Sequence, residues 1–217
     1  QDILKAHISM MEALGRAIAK RDSDTGAHNY RVAWIATCIA EKLGIEGPQM
    51  QSLIVGSFLH DIGKIGIPDA ILLKPGKLTD DELRVMRTHV QQGEDIISSI
   101  GALQGANEVV SAHHERWDGS GYPRSTLGDQ IPLAARIFAV ADVFDALCSR
   151  RPYKAPMSFD EAMSLLKRDT GSHFDPGVMQ VFAPMASNIY SEIANASEAE
   201  CQSKLRAKLQ LHFQVTA

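Results

Sequence analysis

The spacing of apolar residues restricts the fold of this chain more than any other feature. Apolar residues recur at intervals of three and four along almost the whole sequence, most clearly at Val32, Ile35, Ile39 and Leu43, where the run stops at Gly44. Sustained alternation with a period of two, which is typical of strands, does not occur. Because intervals of three and four place side chains on one face of a helix, we expect an all-α fold.

Residues that begin and interrupt helices divide this pattern. Three helix starts carry N-capping residues: Thr79 with Glu82, Ser158 with Glu161, and Asp175 ahead of Pro176. The pattern and the caps together predict helices over residues 2–20, 27–43, 48–61, 80–98, 102–115, 132–149, 159–168, 176–187 and 189–210. Two long segments rich in glycine and proline, 62–78 and 116–131, follow histidine-bearing helices. Long ordered loops in a helical domain are often functional.

The same reading divides the chain into three parts. Residues 1–20 resemble a helix of the signalling type, residues 21–187 hold the polar motifs, and residues 188–217 form a C-terminal helical extension. The chain opens at Gln1 and runs directly into helical sequence. We therefore expect a fragment of a longer protein in which a sensory or receiver domain lies upstream.

Charge, hydropathy and cysteine usage exclude several classes of function. The formal net charge is −4 and no Lys/Arg run occurs, which argues against a nucleic-acid polymer as partner. No apolar run is long enough to span a bilayer. The three cysteines, Cys38, Cys148 and Cys201, form no C-x-x-C pair, so we expect reduced thiols and a cytoplasmic location.

Histidines and aspartates on apolar helix faces are the residues that carry chemistry. The set is His28, His60, Asp61, His89, His113, His114 and Asp142. Each member alone has an ordinary explanation, such as a core histidine bonded to a backbone carbonyl or an aspartate that caps a helix. Seven buried polar groups would each need a separate partner, whereas shared metal ions satisfy all of them at once. The set therefore predicts a metal-dependent phosphohydrolase, in which two ions clamp a phosphoryl group for in-line attack.

Longer motifs around these residues resemble a known family. The sequence His60-Asp61-Ile62-Gly63-Lys64 is similar to the signature of the HD phosphohydrolase superfamily. The sequences 113–115 (HHE) and 117–123 (WDGSGYP) resemble the HD-GYP subfamily, whose members are bacterial phosphodiesterases that hydrolyse cyclic di-GMP. The resemblance covers residues from about 21 to 182. It implies an HD-domain-like helical bundle that encloses a metal cluster, with extra N- and C-terminal helices.

The resemblance also implies roles for individual residues. The seven histidines and aspartates named above match the family's metal ligands, and Asp61 would bridge two ions. Lys64 would donate to a phosphate oxygen or stabilise the leaving group, and Arg151 and Lys154 would hold the substrate phosphate. The metals implied are two divalent transition ions, most often iron or manganese, with nickel, cobalt or zinc as alternatives. Asp24 stands where three-metal members carry glutamate, so its shorter side chain favours two metals over three.

The expected reaction is hydrolysis of cyclic di-GMP to linear pGpG, with slower or no conversion to GMP. Two alternatives stay open at this point. The chain could be a catalytically weak cyclic di-GMP receptor that signals through protein contacts at its GYP loop or terminal helices. It could also be an HD enzyme that acts on another cyclic dinucleotide. The complete ligand set argues against a pure receptor.

Overall fold

A computed structural model describes residues 2–21, 26–149 and 155–213 of the chain. Within these ranges it contains twelve α-helices and three short 3-10 helices, together with two isolated β-bridges and no β-strand. The α-helices are α1 (Asp2–Ala19), α2 (Gly26–Lys42), α3 (Gly47–Leu59), α4 (Asp69–Leu72), α5 (Asp80–Arg87), α6 (His89–Ser98), α7 (Asn107–Val110), α8 (Leu133–Cys148), α9 (Phe159–Arg168), α10 (Pro176–Phe182), α11 (Ala186–Ile193) and α12 (Glu198–His212). The prediction of an all-α fold is confirmed.

Helices α2, α3 and α8 form the centre of the bundle. Helix α2 packs against α3 on one side and α8 on another, and α12 lies along α2. One continuous apolar core joins these elements, including the fully buried Ile35 of α2, Ile54 of α3 and Phe138 of α8. The terminal helices contribute to the same core, through Ile18 of α1 and Leu205 of α12. Most residues of α3 and α8 are buried or half-buried, which agrees with their largely apolar sequence.

The predicted caps begin helices in the structure. Both capping boxes form, with the side chains of Thr79 and Ser158 each accepting from the backbone N–H three residues on. The Asp175 side chain accepts from the N–H groups of Gly177 and Val178 at the start of α10. Each cap satisfies amide groups that a helix start leaves without partners.

Four predicted helices are divided in the structure. The predicted helix 176–187 ends at Phe182, and α11 begins only at Ala186. The predicted helix 80–98 is interrupted at Thr88, between α5 and α6. At this point the Thr88 hydroxyl donates to the Val85 carbonyl at 2.7 Å, and such a bond competes with the backbone hydrogen bonds of a helix. The predicted helix 189–210 is two helices, because a further capping box at Ser197 and Glu200 starts α12 anew. The predicted helix 102–115 is a 3-10 helix (Gly101–Ala106), then α7, then turns.

No helix in the described part of the chain has both the length and the apolar character that a membrane span requires.

Candidate metal centre

The HD motif lies in a turn between α3 and a 3-10 helix (Ile62–Gly66). Helix α3 ends at Leu59, so His60 and Asp61 follow it directly. A Cβ atom placed on Gly63 would lie 1.8 Å from the backbone oxygen of His89 and 2.4 Å from the amide nitrogen of Gly93. Gly63 is therefore required for close packing of the motif on α6.

Two groups of side chains in the interior could each hold an ion. The first group is His28, His60 and Asp142, and the second is His89, His113 and His114. Within each group the candidate ligand atoms all lie within 4.8 Å of one another. Four of these histidines are buried, namely His28, His60, His89 and His113. The groups come from α2, α6 and α8 and from the turns that follow α3 and α7.

Asp61 lies between the two groups. Its Oδ2 atom is 3.2 Å from Nε2 of His60, which belongs to the first group. Its Oδ1 atom is 3.5 Å from Nε2 of His89 and 4.0 Å from Nε2 of His113, which belong to the second. The Asp61 carboxylate thus presents one oxygen to each group.

Hydrogen bonds to the backbone set the orientation of three rings. In each, Nδ1 bonds to the carbonyl oxygen three residues earlier: His60 to Ser57, His89 to Met86 and His113 to Val110. Since a carbonyl oxygen only accepts, Nδ1 carries the proton, and in the neutral ring Nε2 points inward with its lone pair.

The inward lone pairs require a cation. The Nε2 atoms of His89 and His113 are 3.3 Å apart, and two lone pairs cannot form a hydrogen bond with each other. A shared proton is disfavoured, because burial lowers the pKa of both rings. Burial, with the neighbouring His89, lowers the pKa of His114 to about 4. Three neutral imidazoles that face one another are a donor set for a transition metal, so these residues fit such an ion.

The first group has a different protonation chemistry. Burial lowers the pKa of His28, but hydrogen bonds and charge interactions with Asp142 and Asp145 outweigh it and raise that pKa to about 9. Nε2 of His28 lies 3.2 Å from Oδ1 of Asp142. Without a metal, a proton on His28 therefore occupies the place of a cation, and coordination through Nε2 would displace that proton.

Asp145 supports His28 from behind. It is completely buried, and its Oδ2 accepts from Nδ1 of His28 at 2.7 Å. Its Oδ1 accepts from Nε of Arg31 at 2.5 Å and from the Ser149 hydroxyl at 2.8 Å. A carboxylate behind a metal-binding histidine fixes its tautomer and orientation. Sequence analysis did not assign this role, although Asp145 follows Asp142 at a helical spacing of three.

The side chain of Tyr122 covers the second group. Its ring stacks on the His114 ring with centroids 4.6 Å apart and an angle of 22° between the planes. The guanidinium of Arg87 lies on the Tyr122 ring, 4.7 Å from its centroid. The sequence does not assign a role to Tyr122. In the structure its ring lies between the His114 ring and the Arg87 guanidinium.

Glu115 fastens the loop 116–131 that carries Tyr122. The buried Glu115 side chain accepts from the backbone N–H groups of Arg124, at 2.7 Å, and Thr126, at 3.0 Å. Arg124 in turn donates to both carboxylate oxygens of Glu94 on α6. Gly119 adopts the left-handed conformation (φ 77°) that favours glycine.

The structure brings seven of the predicted metal-site residues together: His28, His60, Asp61, His89, His113, His114 and Asp142. Lys64 is adjacent to them, with Nζ 2.8 Å from Oδ2 of Asp61. Asp24, Arg151 and Lys154 lie outside the described residues.

The fold and the site together place this chain in the class of α-helical proteins that bind metal through histidines and aspartates in the interior of a helical bundle. The family model described as "HD domain" matches residues 12–178, and the chain belongs to this HD domain family. This match confirms the family that the motifs predicted.

Two relatives named as phosphodiesterases support the same family. The cyclic di-GMP phosphodiesterase response regulator RpfG of Xanthomonas campestris pv. campestris is 46% identical over 173 residues, which are 76% of this chain and 44% of RpfG. The 3'3'-cGAMP-specific phosphodiesterase 2 of Vibrio cholerae is 40% identical over 182 residues, which are 83% of this chain and 35% of that protein. The chain thus spans less than half the length of either relative.

The fold is also found in a solved structure. The crystal structure of the cyclic GMP-AMP specific phosphodiesterase V-cGAP3 of V. cholerae matches 92% of this chain and 54% of its own chain, with a TM-score of 0.69 and 20% sequence identity. At this identity the likeness concerns the fold.

Proposed function

We propose that this chain is a metal-dependent phosphodiesterase that hydrolyses a 3′–5′ phosphodiester bond of cyclic di-GMP. The observation that carries the proposal is the placement of Asp61 between two groups of inward-facing ligand atoms. Such an arrangement suits two neighbouring cations, which is the usual requirement for in-line displacement at phosphorus.

In this proposal His28, His60 and Asp142 would hold one ion, and His89, His113 and His114 would hold the other. Asp61, whose two carboxylate oxygens face the two groups, would serve both ions. A donor set of imidazoles and carboxylates without thiolates suits iron, manganese, nickel, cobalt or zinc rather than calcium. Among these we propose iron or manganese, which the family resemblance implies. Two ions are the expected number, since a third would depend on the short side chain of Asp24.

Divalent ions in such a site supply Lewis-acid chemistry, in that they acidify water and offset charge on phosphoryl oxygens. The chain itself contributes orientation and fixed charge. Lys64 lies beside Asp61 with its side chain about one fifth exposed, so its ammonium group can reach a phosphate while it stays paired. Donation from Lys64 to a phosphoryl oxygen would stabilise charge that develops during cleavage. Arg151 and Lys154 are proposed to hold the substrate phosphate.

Sequence similarity supports a cyclic dinucleotide as the substrate. RpfG is named as a phosphodiesterase for cyclic di-GMP, and the more distant V. cholerae relative as one for 3'3'-cGAMP. We propose cyclic di-GMP as the substrate and linear pGpG as the product. The name of RpfG also describes a response regulator, which supports a receiver or sensory domain elsewhere in the full protein.

Turnover under anaerobic conditions tests this function. The protein is loaded with iron or manganese and given cyclic di-GMP or 3'3'-cGAMP, and the products are resolved by chromatography. We expect pGpG to accumulate from cyclic di-GMP at a higher kcat/KM than that for 3'3'-cGAMP. Preferred cleavage of 3'3'-cGAMP would correct the substrate, and binding of cyclic di-GMP without turnover by metal-loaded protein would contradict the enzyme assignment.

The Asp61→Ala variant tests the proposed bridge in the same assay. We expect it to lose turnover and to bind less metal, because one carboxylate serves both ions. A variant that kept full metal content and a near-normal rate would contradict this role for Asp61.

A further inference from the structure

Arg21, which lies in the turn directly after α1, contacts residues 64–69, at and beyond the end of the HD motif. Its guanidinium donates to the backbone oxygen of Ile67 at 2.9 Å and to the backbone oxygen of Ile65. The backbone oxygen of Lys64 lies at 3.5 Å, the limit of a hydrogen bond. The guanidinium also pairs with Asp69 at 2.5 Å. One side chain thus contacts four residues of a six-residue stretch.

Through these contacts, Arg21 caps the C-terminal end of the 3-10 helix Ile62–Gly66. The 3-10 helix Ile62–Gly66 is only five residues long, and the last carbonyl groups of any helix lack partners within it. A guanidinium has five N–H donors in a fixed planar fork and can serve several carbonyl groups at once. The side chain of Arg21 is about one third exposed, so these bonds are partly shielded from water.

The capped segment carries Lys64. The Lys64 ammonium is paired with Asp61, so its position depends on the path of the backbone from Asp61 to Ile67. Helix α1 itself packs against the 3-10 helix, and Arg21 is the polar part of that contact. A displacement of α1 would pull on the same carbonyl groups that fix this backbone.

We propose that Arg21 is a positioning residue that holds Lys64 in its active orientation and couples α1 to the active site. This inference rests on the catalytic role proposed for Lys64. Each of these Arg21 contacts is with a backbone oxygen or with Asp69, not with a metal ligand, so Arg21 acts on the rate through the backbone rather than on metal binding.

The Arg21→Lys variant tests the inference on metal-loaded protein. Lysine keeps the charge but has one compact donor group, so it cannot serve the carbonyl groups of Ile65 and Ile67 together. We expect kcat for cyclic di-GMP to fall on the order of tenfold, within the range that small misplacement of a reacting group produces, while KM and metal content stay unchanged. Loss of metal, or a rise in KM alone, would overturn the inference.

Two matched controls separate the carbonyl contacts from charge. Lys20→Ala removes a cation from the neighbouring exposed position in the turn after α1. Asp69→Asn removes the exposed ion pair with Arg21 but leaves the carbonyl contacts in place. We expect both to retain the parental kcat. A loss in Asp69→Asn as large as that in Arg21→Lys would show that the ion pair, not the cap, is responsible, and would overturn the proposal.

A double variant separates this inference from the proposed function. If Arg21 acts through Lys64, Arg21→Lys should slow the parent protein but cause no further loss in the Lys64→Ala background, measured by single turnover. Independent losses that multiply would overturn the positioning role while the role of Lys64 stands. If Lys64→Ala itself kept the full rate, the catalytic role of Lys64 would be wrong, and the inference would fall with it.

Discussion

At the scale of single residues, the buried Asp145 holds His28 in the first group of candidate metal ligands, which also contains His60 and Asp142. It accepts from His28, Arg31 and Ser149, and none of its surface is exposed. Asp145→Asn would remove the charge that balances Arg31 and the acceptor that orients His28. We expect metal affinity to fall about 10–100-fold and the free energy of unfolding to fall by about 3 kcal/mol.

Metal titration and urea unfolding would check both effects. The control is Asp129→Asn, since Asp129 also pairs with an arginine but is 88% exposed. A surface pair of this kind contributes about 0–1 kcal/mol, so this variant should keep both stability and metal affinity. Equal effects of the two substitutions would contradict the role assigned to Asp145.

Tyr122 permits a second test at this scale, because its ring and its hydroxyl can be removed separately. Tyr122→Phe keeps the faces that contact His114 and Arg87, so we expect metal affinity close to that of the parent. Tyr122→Ala removes both ring contacts, which together contribute about 1–2 kcal/mol, and should weaken metal binding about tenfold. Isothermal titration with manganese measures the difference. Equal losses in both variants would show that the hydroxyl, not the stacking, matters.

At the scale of helices, the start of α12 depends on a capping box that was not predicted. The Ser197 hydroxyl accepts from the amide of Glu200, and the Glu200 carboxylate accepts from the amide of Ser197. Ser197→Ala should lower the free energy of unfolding by about 1 kcal/mol without a change in metal affinity. The same substitution at Ser203, exposed in the middle of α12, should change stability by less than about 0.5 kcal/mol. A similar loss at both positions would contradict the capping role.

The unpredicted breaks show where sequence patterns lose information. Thr79 and Ser158 were recognisable because each cap precedes a new apolar run. The Ser197 cap interrupts a pattern that continues on both sides, so apolar spacing merges α11 with α12. Likewise, residue spacing does not encode the interruption at Thr88, where the hydroxyl bonds to the Val85 carbonyl.

The sequence predicted the candidate metal ligands but not the residues that support them. These histidines and aspartates stand on apolar helix faces, where unpartnered polar groups are costly, and this conflict is visible in sequence. Partners that cross between helices leave no such signal. The pairing of Arg31 with Asp145 joins residues 114 positions apart, and the contact of Arg87 with Tyr122 depends on how a loop folds back.

At the scale of the whole molecule, the metal centre joins elements that are distant in sequence. Its side chains come from α2, α6 and α8 and from the turns that follow α3 and α7, so bound ions would cross-link the bundle. A ligand that binds only the folded state stabilises it by about 2.7 kcal/mol when its concentration is 100 times Kd. Metal removal by a chelator should therefore lower the midpoint of thermal unfolding, and added manganese should restore it.

The pH dependence of the metal-free protein gives the sharper test. The pKa of His114 is lowered to about 4 in the folded protein. Between pH 6.5 and 4 this histidine is therefore protonated in the unfolded chain but neutral in the folded chain. The free energy of unfolding falls as the pH drops from 6.5 towards 4. The pKa of His28 is raised to about 9 in the folded protein. Between pH 6.5 and 9 this histidine is therefore protonated in the folded chain but neutral in the unfolded chain. The free energy of unfolding also falls as the pH rises from 6.5 towards 9.

The metal-free protein should accordingly be most stable near pH 6.5, with a loss of about 1–2 kcal/mol at pH 5 from the acidic side alone. Manganese should abolish the alkaline loss, because an ion on Nε2 of His28 replaces the proton whose release causes it. Urea unfolding at pH 5, 6.5 and 8, with and without manganese, measures both limbs. A metal-free protein whose stability is flat from pH 5 to 8, or an alkaline loss that persists with manganese bound, would mean that His28 and His114 do not face the ions as proposed.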